Sequence, residues 1–567
     1  MRRVRYLTLA TVSVALLATA CGGGGTGTQA GGGGGGIKNG GVLRIGSTSN
    51  IDSLNPFDAY LSQAYNAFIM EYPQLVQYCD GPKGLYLCGD LASKWTTSAD
   101  GKTWTFTLKA GGKWSDGVPV TASDAAWTGN TVLKYAAGAT SLLAPSIAHA
   151  TAFDAPNATT LVIHYSKAVA NVLPQLEQFY ILPQHVWSKQ IGKKGAGLKT
   201  YDPSTKLPIV SGGPFQITSF DKTGTTIFKP NPGYYGPKPH VQAVAMEYFT
   251  NSASMVAAYE AGSLDYMESP PANTISKLKS EPNTVVDVHP GSTVTNLSFN
   301  SNPVKPKNRE LLNPQVKLAI AHAINREEIA QTVFAGYAKP WANFISPVSA
   351  AQGWVDPSIK VESFDPALAN RILDGLGYTR GAGGIRVVPA TTGKYAQPAH
   401  KMSYQVNYCT CEDFNYDRQF QIIQSNLQAI GIAVTANPGD TNAATEAEYG
   451  PNNKYLNADI NMWDWAEYID PDFQLSVLTT AQWAGWNETG YTNKTYDAEY
   501  AAQGVTLKHA DRQKIVWQME GTVYDQRPYI QLVDEKLLDA HTKKWAGIDY
   551  NLSAYGKNYY TDPHLVG

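Results

Sequence analysis

Between Trp95 and Trp127 the chain carries three local devices in succession, and together they leave few folds open. Asp100-Gly101 is a turn, because Gly accepts a positive φ and Asp bonds its own backbone. Trp104, Phe106 and Leu108 then alternate with Thr103, Thr105, Thr107 and Lys109, which predicts a half-buried strand of period two. Asp116-Gly117 makes a second turn. Thr121 stands as an N-cap with Asp124 three residues later, and the Ala-rich run behind them predicts a capped helix. The unit is hairpin, strand, helix. Helix and strand patterns go on alternating along the chain, which predicts an α/β protein.

With those residues in place, the stretch resembles the signature of the family 5 extracellular solute-binding proteins, the peptide, nickel and oligosaccharide receptors of ABC importers. That pattern runs Trp, then Ser-x-Asp-Gly-x-Thr-Tyr-Thr-Phe-x-Leu, then Asp-Gly-x-Pro-Leu-Thr-Ala-x-Asp, and nearly every position has a counterpart here. Further landmarks follow in the same order. Leu54-Asn55-Pro56, Pro183-Gln184-His185-Val186-Trp187, Ser211-Gly212-Gly213-Pro214-Phe215 and Asn231-Pro232-Gly233-Tyr234-Tyr235 each resemble a family turn or motif. Thr295 to Asn300 resembles the strand that leaves the first lobe. Asn313 to Arg326 resembles a second family block; Val316, Ala319, Ile320 and Ala323 form one apolar helical face, and Asn325 with Glu328 reads as the next cap. Ala367 to Tyr378 and Gln421 to Val434 resemble the later helix-Gly-strand units, so the resemblance covers about residues 41–545. Residues 381–393 read as a surface insertion.

The resemblance implies an α/β fold, periplasmic-binding-protein-like type II, with two lobes and an additional inserted subdomain. By analogy, residues 41–75, 207–292 and 530–567 form the first lobe, 76–206 the inserted subdomain and 293–529 the second lobe. It also implies capture without chemistry, a solute closed between lobes and handed to permease subunits by a monomer. No Gly-x-Ser-x-Gly, His-Glu-x-x-His or Walker loop occurs. The 10 His are spread over the chain, and His185 reads as a packing residue. The chain is expected to be no enzyme and to need no cofactor or metal. Peptide is the first expectation for the solute. An oligosaccharide, for which 33 Tyr and 13 Trp offer stacking faces, and a secreted hydrolase with paired carboxylates are the alternatives.

The N-terminus reads as an export signal. Arg2, Arg3 and Arg5 precede an apolar run from Leu7 to Leu17, too short to span a membrane. Ala18-Thr19-Ala20-Cys21 resembles a lipobox, with Leu17 one place earlier than usual, so residues 1–21 are expected to be a lipoprotein signal and Cys21 the lipidated residue. Residues 22–36 are Gly at eleven of fifteen positions and read, to about residue 40, as a flexible tether. The expected location is the outer face of the cell membrane, held by the lipid. Lys and Arg total 45 against 47 Asp and Glu, a balance that gives no electrostatic case for nucleic acid.

Cys79, Cys88, Cys409 and Cys411 remain, with three pairings open. Cys79 and Cys88 flank Asp-Gly-Pro-Lys-Gly, a spacing that suits a hairpin disulfide in an exported chain. The sharpest expectation for a site is the run Trp463 to Asp472. Asp470-Pro471 matches the family's acid-Pro pair and constrains the backbone. In the family's peptide receptors an Asp three residues earlier holds the ligand's α-ammonium; Glu467 occupies that position here. Trp463 and Trp465 are expected to wall the cleft.

Overall fold

The computed structural model describes residues 37–79, 85–410, 415–450, 455, 458–466, 469–483, 485–548 and 561–566. The expected signal, the greater part of the tether, Cys21, Cys411 and Glu467 lie outside them.

Two mixed sheets organise the chain. The first has seven strands in the order Thr284–His289, Leu537–Thr542, Tyr266–Glu268, Val42–Ser47, Ala243–Tyr248, Thr225–Pro230 and Phe215–Ser219. The second has six, in the order Ala338–Pro340, Tyr529–Glu535, Thr293–Phe299, Ile460–Ala466, Ser403–Cys409 and Ala433–Gly439. The chain passes from one sheet to the other after His289 and returns after Glu535. These two crossings lie side by side: a Cβ at Gly291 would overlap the carbonyl oxygen of Glu535, so only Gly lets the strands approach this closely. The return falls six residues later than the 530 expected from sequence. Residues 530–535 pair antiparallel with Thr293–Phe299 and are thereby built into the second sheet.

The stretch that opened the sequence reading folds as a hairpin and a helix. Ala92–Thr97 and Thr103–Leu108 pair antiparallel, and Thr160–Tyr165 and Ala150–Asn157 extend them to a four-stranded sheet. Asp100 Oδ1 accepts from the Lys102 N–H at 3.1 Å, and Gly101 takes φ +69°. Helix Ala122–Tyr135 follows. Asp124 accepts from the Thr121 N–H at 3.0 Å and from the Gln184 N–H at 3.1 Å, so the cap also ties the helix to the 184–187 turn. The inserted segment shares one hydrophobic core with the first sheet: Phe106, Leu161 and Ile163 are buried in the same cluster as Leu43, Ile45, Phe215 and Ile217.

In the second lobe, Pro314–Ala323 buries Val316, Ala319, Ile320 and Ala323 as the period-3.6 pattern requires. Asn313 and Asn325 cap their helices, accepting from the N–H groups of Gln315 at 2.9 Å and Glu328 at 3.1 Å. Residues 381–393, read as a surface insertion, are tied down by Arg386. This residue is buried and reaches Asp374 at 2.6 Å, at the centre of a small three-stranded sheet.

Cys79 and Cys88 are joined by a disulfide across the hairpin Val76–Cys79/Tyr86–Gly89. That hairpin touches the second lobe. Tyr78 packs on Ile469, and the Gln352 side-chain amide donates to the Leu85 carbonyl at 2.6 Å. The Ala170 N–H donates to the Gly504 carbonyl at 2.9 Å, so the inserted subdomain and the second lobe meet away from the two crossings. His185 lies against Asp116 at 2.7 Å with its ring edge on Trp114.

Candidate functional site

Strand Ile460–Ala466 is the centre of the site, and its alternation decides what each side chain does. Ile460 and Met462 point into the core beneath the second sheet. Asp464 is on that same side, where the Tyr416 hydroxyl donates to it. Asn461, Trp463 and Trp465 rise on the other face. There Trp463 and Trp465 lie 6.4 Å apart, edge to face. Trp465 contacts Phe473 at 5.8 Å and Trp486 at 6.1 Å. The structure therefore brings both predicted tryptophans into one aromatic group and adds two rings that the local sequence did not single out. Trp486 is 52 % exposed and forms the outer wall.

Beneath these rings the same face is polar. Asn437 donates to Asn407, and Asn407 donates to Asn461, each at 2.8 Å. Asn461 donates to the Ser298 hydroxyl at 3.3 Å. Over this row sit two buried acids. Glu488 accepts from the Trp465 indole N–H at 3.3 Å and from the Tyr529 hydroxyl. Glu448, on helix Thr441–Tyr449, hydrogen-bonds Ser298. Burial pushes both carboxyls above the usual range, and Glu448 is raised further by Glu488.

The acid-Pro pair does a different job. Asp470 receives two bonds from the Arg512 guanidinium, at 2.6 and 2.7 Å, and both side chains are buried. Its Oδ1 also accepts from the Asp472 N–H at 3.0 Å, at the start of helix Asp472–Val477. Asp472 in turn accepts from Gln503 at 2.6 Å and Tyr500 at 3.3 Å. This network sets the chain direction just past Glu467. Arg512, Glu448, Glu488 and Trp486 carry no local sequence signal; strand register and helix packing alone bring them here.

Residues 87–486 match the bacterial extracellular solute-binding proteins, family 5, middle region. The chain belongs to that family. The glutathione-binding protein of Salmonella choleraesuis (strain SC-B67) is 25 % identical over 514 residues, covering 88 % of this chain and 90 % of that protein. The ABC transporter-associated periplasmic binding protein DppA of Helicobacter pylori, solved with the peptide STSA, is 22 % identical; it superposes with a TM-score of 0.72 over 94 % of this chain and 99 % of that one. The substrate-binding protein CtaP of Listeria monocytogenes is 19 % identical, with a TM-score of 0.78 over 94 % and 100 %. The fold of this family 5 solute-binding protein is the type II periplasmic-binding-protein fold, α/β with two lobes.

The arrangement places aromatic faces beside a row of amides and carboxyls on one face of the second sheet, and the two lobes are joined by two adjacent crossings. Among the described residues no helix is long and apolar enough to cross a membrane, and no group of three or more His, Cys, Asp or Glu is placed to hold a metal ion.

Proposed function

We propose that this chain is the substrate-binding subunit of an ABC importer, capturing a peptide-like solute between its two lobes and delivering it to permease subunits. The observation that carries the reading is the pair of adjacent chain crossings at 289–293 and 535–537, by which the described residues pass between two α/β lobes, an arrangement that permits hinge closure on a solute. The relatives support the solute class: one is named for glutathione, and one was solved with a tetrapeptide. Glu467 is assigned the ligand's α-ammonium, and Trp463 and Trp465 line the approach. An ammonium leaving water needs an acid partner, since burial unpaired is prohibitive.

Titration calorimetry with a free peptide and its N-acetylated form tests this. Loss of an α-ammonium held by Glu467 should weaken binding by roughly 2–5 kcal/mol, and Glu467→Gln should do the same to the free peptide. Equal binding of the two peptides would remove the ammonium role. The rings of Trp463, Trp465, Phe473 and Trp486 favour one second reading, an oligosaccharide that stacks on indole faces. It moves ahead if sugars, not peptides, raise the unfolding temperature.

Cys21 is assigned a diacylglycerol anchor on the outer face of the cell membrane, two chains being the number that holds a protein stably. The protein acts as a monomer on its tether. Cys21→Ser should move it to the soluble fraction; unchanged membrane retention rejects the anchor.

A further inference from the structure

On the polar face of the second sheet lies a group of buried acceptors that meet too few donors. Glu448 and Glu488 are each 2 % exposed. Oε1 of Glu448 and Oε2 of Glu488 have no hydrogen-bond partner, and neither acid forms an ion pair, among the described residues. Two amides on the same face repeat the pattern. Asn296 (1 % exposed) and Gln531 (5 % exposed) stand opposite each other in register, and Oδ1 of the first and Oε1 of the second are likewise without a donor among the described residues.

Strand geometry places these groups together. Asn296 is opposite Trp463, and Ser298, two residues on, is opposite both Asn461 and Tyr529, so all rise on one face. Glu488 is held over that row by Trp465 and Tyr529, and Glu448 by Ser298. Trp486, half in solvent, contacts Trp465, so the acids lie one ring in from the surface.

The set is weighted to one side: four acceptors stand without a donor among the described residues, against one donor without an acceptor, the Trp463 indole N–H. A buried acceptor without a donor is costly, and more so when it carries charge. One water offers two donors to four acceptors. A primary ammonium offers three and a guanidinium five, both with positive charge and no acceptor of their own. Indole faces beside the acids add attraction for a cation. By contrast, Asp470, the neighbouring buried acid, already has its guanidinium in Arg512.

We propose that this pocket receives a cationic side chain of the bound solute, a primary ammonium or a guanidinium, seated between Glu448 and Glu488 with Trp463 and Trp465 beside it. The proposal rests on the peptide-like reading of the solute and deepens it: the protein selects peptides that carry a basic side chain.

The test is titration calorimetry of the mature protein with Ala-Lys-Ala and with its norleucine counterpart, which keeps the length and loses the charge. Wild type should bind the lysine peptide at least about tenfold more tightly. Glu488→Gln and Glu448→Gln should each bring that ratio below about three. Equal affinity of the two peptides for wild type overturns the proposal, as does a ratio that survives in both glutamine variants. If neither peptide binds, the peptide reading fails, and the pocket is judged alone by thermal unfolding with cadaverine against 1,5-pentanediol. A rise with the diamine in wild type but not in Glu488→Gln supports it; no rise overturns it.

Discussion

Two buried acidic regions border the strand Ile460–Ala466, and the fold treats them in opposite ways. Just past the strand, Asp470 meets Arg512 through two bonds, and Gln503 and Tyr500 complete the network around Asp472. Beside the strand, Glu448 and Glu488 meet hydroxyls and an indole, with no cation among the described residues. A buried charge whose counter-ion belongs to the chain is part of the architecture, because removing either half strands the other. A buried acid that meets no counter-ion adds little to stability and can accept a partner from outside. The first region holds the backbone in place, and the second is the one proposed to take a cation of the solute.

The largest expected effect breaks the architectural half. Arg512→Met should cost about 3–5 kcal/mol in urea unfolding, because it leaves Asp470 buried without its partner. Adding Asp470→Asn to that variant should recover much of the loss. A single-variant cost below about 1 kcal/mol would place this pair with surface ion pairs and erase the contrast.

A third buried acid sharpens the comparison. Glu71 ends helix Ser62–Glu71 in the first lobe, fully buried, without a side-chain partner among the described residues, and burial pushes its carboxyl up to about 8. Its folded pKa lies above its unfolded value near 4.5. Between those values the folded state keeps a proton that the unfolded state has released, so stability is full below the window and falls as pH rises through it. The slope from this one group is about 1.4 kcal/mol per pH unit at most. Glu71→Gln should flatten that part of the pH profile and leave solute affinity unchanged, since Glu71 belongs to a helix of the first lobe and not to the face that carries Trp463 and Trp465. A change in affinity would mean that lack of a partner alone marks a site.

The smallest effect falls on the binding half. Glu488→Gln keeps an oxygen for Tyr529 and Trp465 and replaces a buried carboxyl that has no counter-ion among the described residues, so its unfolding free energy at pH 7 should stay within about 1 kcal/mol of wild type. A loss as large as that of Arg512→Met would show that Glu488 is structural.

By itself the sequence determined whatever is decided within a few residues. Asp100-Gly101 turns the hairpin, and Asp124, Asn313 and Asn325 cap their helices, because a cap bond spans only two or three positions. The 95–127 signature pointed to the family, and the run before Asp470-Pro471 pointed to Trp463 and Trp465, whose shared face follows from strand Ile460–Ala466. Tertiary structure alone decided the rest. Arg512 meets Asp470 across 42 residues, and Tyr529 meets Glu488 across 41. The return at Leu537 follows from the pairing of Tyr529–Glu535 with a strand more than two hundred residues earlier. Such partners leave no local pattern, because strand register and helix packing bring them together only once the whole lobe has formed.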